Sequence, residues 1–377
     1  MRILHIFNSD SGGGVGGTIS FIKESIRKKD DLIHFIVIPN IATPKFINQF
    51  NKIEFSLINI ISVPMHWWNK KKSSLLIKDL YDELKGQFLT LFHTKSVKLL
   101  QKIIYDNKID LVYTTTTCIK SGAIAAKHMR IPHLWHIKEK IGKNQFMQFY
   151  KSDKNLIRFI DSNSSQIVAM SDFIAEIFLK HSPNKNKINV VNDGFNFEQL
   201  SDSVTLKETN QFRKSLDVNN DEILIGNIGS LGSIIKRHDI FIKSAIDTLK
   251  IYPKIKFVIF GSIPQKSKWF PKISYENLLK YKKIIHDNNM TDKIIFAGHR
   301  TNIPLIMNSI DILAHTCDME GFGRVIIEAM SFSKPVICPD RGGSSEIVVN
   351  MVTGYHFKSG NSKSLTEKIQ LLIDNKK

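Results

Sequence analysis

Short β-branched runs alternate with longer amphipathic stretches along the whole chain, and the series runs twice. In the first half Ile3–Phe7, His34–Ile38, Leu111–Thr114, His133–Ile137, Ile167–Met170 and Ile188–Val191 read as strands. In the second half Ile223–Ile228, Lys256–Phe260, Lys293–Ala297, Ile310–Ala314 and Pro335–Cys338 read the same way. Helical spacing fills the gaps, as over Thr18–Lys28, Ile119–His128, Asp239–Lys250 and Tyr275–Asn288. Apolar strands that take turns with helices predict parallel sheets covered on both faces, an α/β fold. At 377 residues the chain exceeds one ordinary core. The polar, strand-poor segment from Asn196 to Asp221 interrupts the series, so the domains are expected at 1–199 and 200–377.

A hydrophobic content of 42% places the chain among globular proteins. No apolar run reaches the roughly 18 residues needed to cross a bilayer. The N-terminus opens straight into a strand without a signal-peptide cleavage region, and a cytoplasmic protein is expected. Cys118, Cys317 and Cys338 lie in or beside apolar runs, as reduced thiols do; no metal-ligand spacing is present and no metal is expected. The formal charge of +18 points to an anionic partner: nucleic acid, a membrane surface or an anionic substrate. No recognised nucleic-acid module accompanies it, so nucleic acid is not expected. Trp67 and Trp68 beside Lys70, Lys71 and Lys72 are candidates for peripheral contact with an anionic membrane. Core packing of the tryptophans with a solvated lysine run is the plainer reading of the same residues.

Four motifs fall between strands and helices, where an α/β domain binds its ligands. The first, Ser9 to Gly17, holds Gly12, Gly13, Gly14, Gly16 and Gly17 ahead of a helix, where backbone amides can approach an anion. Gly12, Gly14 and Gly17 match G-x-G-x-x-G, yet the second strand runs out at Ile38-Pro39-Asn40 with no acid for a dinucleotide ribose. The second pairs His136 with Glu139 at a strand end. The third runs from Gly226 and Gly229 to Lys236 and Arg237, two cations able to neutralise a diphosphate. The fourth sets Glu320 and Glu328 eight residues apart around Gly321-Phe322-Gly323-Arg324, followed by Gly342, Gly343 and Glu346. Amides and a helix start suit phosphates there, and carboxylates suit sugar hydroxyls.

In this order the motifs resemble glycosyltransferase family 4 over nearly the whole chain. That resemblance implies a GT-B fold, two Rossmann-like doubly wound domains facing a cleft, with the donor held by the second and the acceptor by the first. It implies a retaining, metal-independent transferase that takes a nucleotide-diphosphate sugar as donor and needs no cofactor. Glu320 matches the residue contacting the donor sugar, Glu328 the one holding the ribose, and Lys236 with Arg237 the cations at the diphosphate. The amides at Phe322, Gly323 and Arg324 match those holding sugar and diphosphate. Gly12 to Gly17 match the glycine segment facing the transferred group, and His136 the histidine near the reacting sugar. Ser171 and Asn192 to Gly194 match landmarks before the linker. Ser230, between Gly229 and Leu231, stands where the family carries a second diphosphate cation. Members commonly continue past the position of the last helix, Ser364–Ile373, to brace the N-terminal domain, so no brace is expected here. The expected acceptor is a saccharide or lipid-linked saccharide of cell-surface polysaccharide or glycolipid synthesis, met in the cytoplasm or at the inner face of the cell membrane. A GT-B nucleotide-sugar epimerase and an inactive donor-binding scaffold are the alternatives.

Overall fold

The computed structural model describes residues 1–8, 13–28, 31–39, 43–47, 58–65, 69–71, 93–141, 147–149, 152–195, 197, 204–264 and 272–375. The chain divides into two compact units, Met1–Phe195 and Asn196–Lys377.

In chain order the first unit carries β1 (Arg2–Ile6), α1 (Gly13–Arg27), β2 (Ile33–Ile38), α2 (Pro44–Ile47), β3 (Ile58–Ser62) and β4 (Asn69–Lys71). There follow α3 (residues 93–106), β5 (Leu111–Thr114), α4 (Ser121–Met129), β6 (His133–Ile137) and β7 (Met147–Phe149). Then come α5 (Asp153–Ser162), β8 (Gln166–Ala169), α6 (Asp172–His181) and β9 (Ile188–Val190). The parallel sheet has the order β3-β2-β1-β5-β6-β8-β9, so the winding reverses between β1 and β5. One face buries Leu4, Ile6, Val112 and Ala125, and the other buries Phe7, Ile22, Ile36 and Phe46. Both faces are covered, which is why the strands read as continuous apolar runs. Ser152 and Ser171 cap α5 and α6, each accepting from an amide of the first turn. β4 pairs with β7 as an antiparallel ribbon, Asn69 opposite Phe149. Lys70 and Lys71 thus belong to a strand, while Trp67, Trp68 and Lys72 lie outside the described residues.

The second unit carries α7 (Leu206–Ser215), β10 (Ile223–Ile228), α8 (His238–Leu249), β11 (Ile255–Phe260), α9 (Lys272–Asp287) and β12 (Ile294–Gly298). It continues with α10 (Ile303–Ser309), β13 (Ile312–Ala314), α11 (Arg324–Ser331), β14 (Val336–Pro339), α12 (Ser344–Ile347), β15 (Tyr355–Phe357) and α13 (Ser362–Asp374). Its parallel sheet has the order β12-β11-β10-β13-β14-β15, and the reversal falls between β10 and β13. The polar stretch read as a break between domains contains a helix: Thr205 and Glu208 close a capping box on α7. Buried Arg213 on that helix anchors it, donating to Ser309 O at 2.7 Å and to Asp311 Oδ2 at 3.1 Å. A buried arginine is the signal a polar pattern conceals, because it looks like surface.

Candidate functional site

Ligands of open α/β sheets bind beyond the carboxyl ends of the strands, at the reversal of strand order. In the second unit the loops after β10 and β13 meet there. Asn227 of β10 donates to Ala314 O at 2.7 Å and to Thr316 Oγ1 at 3.1 Å. Thr316 Oγ1 in turn donates to Lys236 O at 2.7 Å. This relay ties the short 3-10 turn Ile234–Lys236 to the loop carrying Glu320. Across the junction Lys236 Nζ lies 2.7 Å from Glu320 Oε2, with the two side chains 24% and 21% exposed. His315 Nε2 is 3.4 Å from the same oxygen. Burial alone would push the Glu320 carboxyl up, but Lys236 and His315 outweigh it and hold the group well below the usual carboxylate range. For Lys236 burial likewise opposes the charge and Glu320 prevails, so its ammonium is held above the ordinary range. The pair is charged, and its exposed fraction leaves room to exchange partners.

Arg237 stands next in sequence but is committed elsewhere. It adopts a left-handed conformation, φ 51°, between the 3-10 turn and α8. Its guanidinium reaches both oxygens of Asp239, at 3.1 and 3.2 Å, and Asp318 Oδ2 at 3.2 Å. Ser359 donates to the same Asp318 oxygen at 3.0 Å. Ser230 shares a 2.6 Å hydrogen bond with Ser262 and carries no charge.

The glycines let the loops interlock. Gly343 donates its amide to Glu320 O at 2.9 Å, and a Cβ there would lie 2.3 Å from Gly321 O and 2.8 Å from Phe322 Cα. Gly323, at φ 110°, turns the chain into α11, a conformation that side-chain-bearing residues rarely adopt. Glu328 sits one turn into α11; burial raises its carboxyl, with Arg324 opposing. A Cβ on Gly229 would lie 3.0 Å from Lys236 Cγ, so the bare backbone makes room for the lysine stem. Gly229, Lys236, Glu320, Phe322, Gly323, Gly342 and Gly343 are therefore brought together, with Arg237 beside them in its own acidic cage. His315, Cys317 and Glu320 also offer ligand atoms within 4.8 Å of one another. Lys236 already supplies the positive charge at that carboxylate, a poor setting for a divalent ion.

In the first unit Gly13, Gly14, Gly16 and Gly17 open α1 rather than forming a loop ahead of it, and Gly12 lies outside the described residues. A Cβ on Gly17 would lie 2.9 Å from Asp193 Oδ2 and 3.2 Å from Lys138 Nζ. Lys138 and Asp193 form a 3.0 Å ion pair whose side chains are 4% and 6% exposed. His136 does not pair with Glu139. Its Nδ1 lies 2.5 Å from Tyr113 OH, and burial, then Lys138, lower its pKa to about 4. Glu139 accepts from Thr116 Oγ1 at 2.9 Å and from the Thr117 amide at 3.2 Å, holding the loop after β5. Tyr113, Lys138 and Asp193 gave no sign of this cluster in the sequence, although Asp193 lies in the Asn192–Gly194 landmark.

Two such parallel-sheet units in one chain are the GT-B fold, which solved glycosyltransferase structures share. The Anabaena HepE structure in complex with UDP and glucose matches all of this chain and 90% of its own, with TM-score 0.75 at 20% identity. A structure of a point mutant of S. aureus TarM, which contains UDP, matches 99% of this chain and 93% of its own, with TM-score 0.69 at 14% identity. Residues 208–377 match the family described as Glycosyl transferases group 1. Among curated relatives, the Staphylococcus aureus capsular polysaccharide biosynthesis glycosyltransferase CapM is 27% identical over 217 residues, 56% of this chain and 53% of CapM. The chain thus spans about half the length of that relative. The Campylobacter jejuni N,N'-diacetylbacillosaminyl-diphospho-undecaprenol alpha-1,3-N-acetylgalactosaminyltransferase is 23% identical over 329 residues, 84% of this chain and 82% of the enzyme.

Proposed function

We propose that this chain is a glycosyltransferase that moves a sugar from a nucleoside-diphosphate sugar onto a saccharide or lipid-linked saccharide, with retention, in cell-surface polysaccharide or glycolipid synthesis. The carrying observation is the Lys236 ammonium 2.7 Å from the Glu320 carboxylate, beside two interlocked glycine loops. A cation for a diphosphate and an acceptor for sugar hydroxyls are thereby set side by side. The relatives support the substrate class: CapM acts in capsular polysaccharide biosynthesis, and the Campylobacter enzyme's name describes a lipid diphosphate acceptor.

In this reading the bond from the sugar carbon to the diphosphate oxygen breaks, and its electron pair leaves with the diphosphate. Lys236 stabilises that developing charge, a contribution of about 3 kcal/mol for a well-placed group. The acceptor oxygen attacks from the same face, and its proton passes to the departing diphosphate. Glu320 holds hydroxyls of the donor sugar, Glu328 the ribose, and the amides at Phe322, Gly323 and Arg324 the sugar and diphosphate. Gly342 and Gly343 hold the Glu320 loop in register. Arg237, already faced by two carboxylates, takes the smaller electrostatic share. We place no metal in the reaction because Lys236 fills the cation's role, and transfer should persist in the presence of chelator.

Glu320→Ala should abolish transfer, while Glu328→Ala should mainly weaken nucleotide binding, read by thermal shift with nucleoside diphosphates and their sugars. Full transfer by the Glu320 variant would sink the assignment. We assign the Trp67–Lys72 segment to contact with anionic lipid at the inner face of the membrane, supported by the charge of +18. Among the described residues no helix is long and apolar enough to cross a membrane. Cosedimentation with anionic vesicles should fall when Trp67, Trp68 and Lys70 to Lys72 are replaced, and undiminished binding would return them to core packing.

A further inference from the structure

We infer that Tyr113 is a positioning residue: its hydroxyl donates to His136 Nδ1, fixes the imidazole as its Nε2–H tautomer, and makes His136 a hydrogen-bond donor to the sugar rather than a base. The inference rests on the sugar-transfer reading only for the identity of what His136 meets.

The 2.5 Å contact between Tyr113 OH and His136 Nδ1 can be made in two ways. If Nδ1–H donates, the tyrosine proton has no other acceptor among the described residues, and the Nε2 lone pair is buried without a partner. If the hydroxyl donates, only the Nε2–H is unmet. One unmet buried group costs less than two, at roughly 1–3 kcal/mol each. Neither group changes charge near neutrality. Burial, then Asp193, raise the Tyr113 hydroxyl above its ordinary range, and His136 titrates at about 4. The groups facing this pair are Lys138, Asp193 and the His5 ring, whose centroid is 5.4 Å from that of Tyr113. His5, buried and lowered to about 3, brings no charge. Lys138 and Asp193 neutralise each other at 3.0 Å. Asp193 favours the protonated imidazole, but burial and Lys138 outweigh it and keep the ring neutral, so the tyrosine selects between the two neutral forms.

A ring locked this way offers Nε2–H and no lone pair. It can hold a hydroxyl or ring oxygen of a sugar in place, and it cannot remove the acceptor's proton. That agrees with a reaction whose proton leaves on the diphosphate.

The test is ¹⁵N-histidine spectroscopy on the full chain, with the His136 signals assigned by their loss in His136→Gln. Wild type should show the Nε2–H tautomer throughout about pH 5 to about pH 8. Tyr113→Phe should populate both tautomers. A wild-type Nδ1–H tautomer, or an unchanged tautomer in Tyr113→Phe, would overturn the inference. Kinetics give a second arm. His136→Gln, which keeps an N–H donor and has no base, should retain more transfer activity than His136→Leu; equal losses would overturn the donor role. Tyr113→Phe should lower kcat/KM roughly threefold to tenfold, the worth of one hydrogen bond. In the His136→Gln background the same change should cost less than about twofold. Equal cost in both backgrounds would mean that Tyr113 is merely structural, and would also overturn the inference. The spectroscopy needs no substrate, so failure to bind or turn over nucleotide sugars would reject the sugar-transfer reading while leaving the tautomer result to stand.

Discussion

Lys236 and Arg237 are neighbours in the chain with different commitments. Lys236 has one carboxylate partner and is a quarter exposed, whereas Arg237 is shared between Asp239 and Asp318. A diphosphate arriving at this turn can draw on Lys236 by loosening one contact, but on Arg237 only by exposing two acids to each other. Lys236→Ala should therefore lower transfer on the order of a hundredfold or more and weaken nucleoside-diphosphate binding. Arg237→Ala should show up first as a lower thermal midpoint, with a smaller loss of transfer. Steady-state kinetics and thermal unfolding on both variants separate the two, and a larger kinetic loss for Arg237→Ala would reverse the roles. Glu320, Glu328 and the two cations could be singled out in the sequence because they stand at short spacings around glycines, and the structure sets Lys236 beside Glu320. Tyr113 with His136 and Lys138 with Asp193 were not, because the partners lie 23 and 55 positions apart and only the sheet brings them together. Lys138→Met should cost about 3–5 kcal/mol of stability, since it leaves Asp193 a buried charge without its partner; denaturant unfolding reads the loss.

Among elements, the two loops of the second unit work as one piece because Gly343 has no side chain. An alanine there would press its methyl against the backbone of Gly321 and Phe322, at 2.3 and 2.8 Å, which no rotamer change can relieve. Gly343→Ala should separate the Glu320 loop from α12, lower the thermal midpoint and weaken nucleotide binding together. Gly194→Ala makes the control, since a Cβ there meets nothing within 4 Å. Equal behaviour of the two variants would show that the loops are not interlocked. Glycine density announced both loops in the sequence, but not their conformations. At the N-terminus Gly13 to Gly17 wind into α1, because burial of Ile19 and Ile22 beneath the helix outweighs the glycines' poor propensity. β15 escaped notice because three residues, Tyr355 to Phe357, are too few to display a period. β3 escaped because Ile58 to Ser62 lies in a run of isoleucines and asparagines with weak alternation.

For the whole molecule, the doubled strand-helix series was legible because both faces of each sheet are covered, while the order of strands was not, since no local pattern says that β1 lies beside β5. Burial inside these sheets has a consequence for pH. Burial, the leading cause at each, holds His5 and His133 at about 3 and His136 and His238 at about 4, against an ordinary value of 6.5. The folded chain therefore refuses protons that the unfolded chain accepts below pH 6.5. The sign follows from linkage: the unfolded state binds more protons in this window, so stability is present above 6.5 and is lost as pH falls toward 4 and 3. Each such histidine contributes a slope of about 1.4 kcal/mol per pH unit once the unfolded form is protonated. Glu320 acts in the same direction lower down, since its depressed carboxyl contributes stability above its ordinary value of 4.5 that is lost on further acidification. The charge of +18 reinforces both, because every proton taken up adds to a chain that already repels itself. The thermal midpoint should be insensitive to these groups above pH 6.5 and should fall steadily from there to about pH 4. His133→Gln, which removes one buried imidazole remote from Lys236 and Glu320 in sequence, should make that fall shallower by about one proton's worth. A midpoint that stays level from pH 6.5 down to about pH 4 would show that these histidines are already protonated in the folded chain.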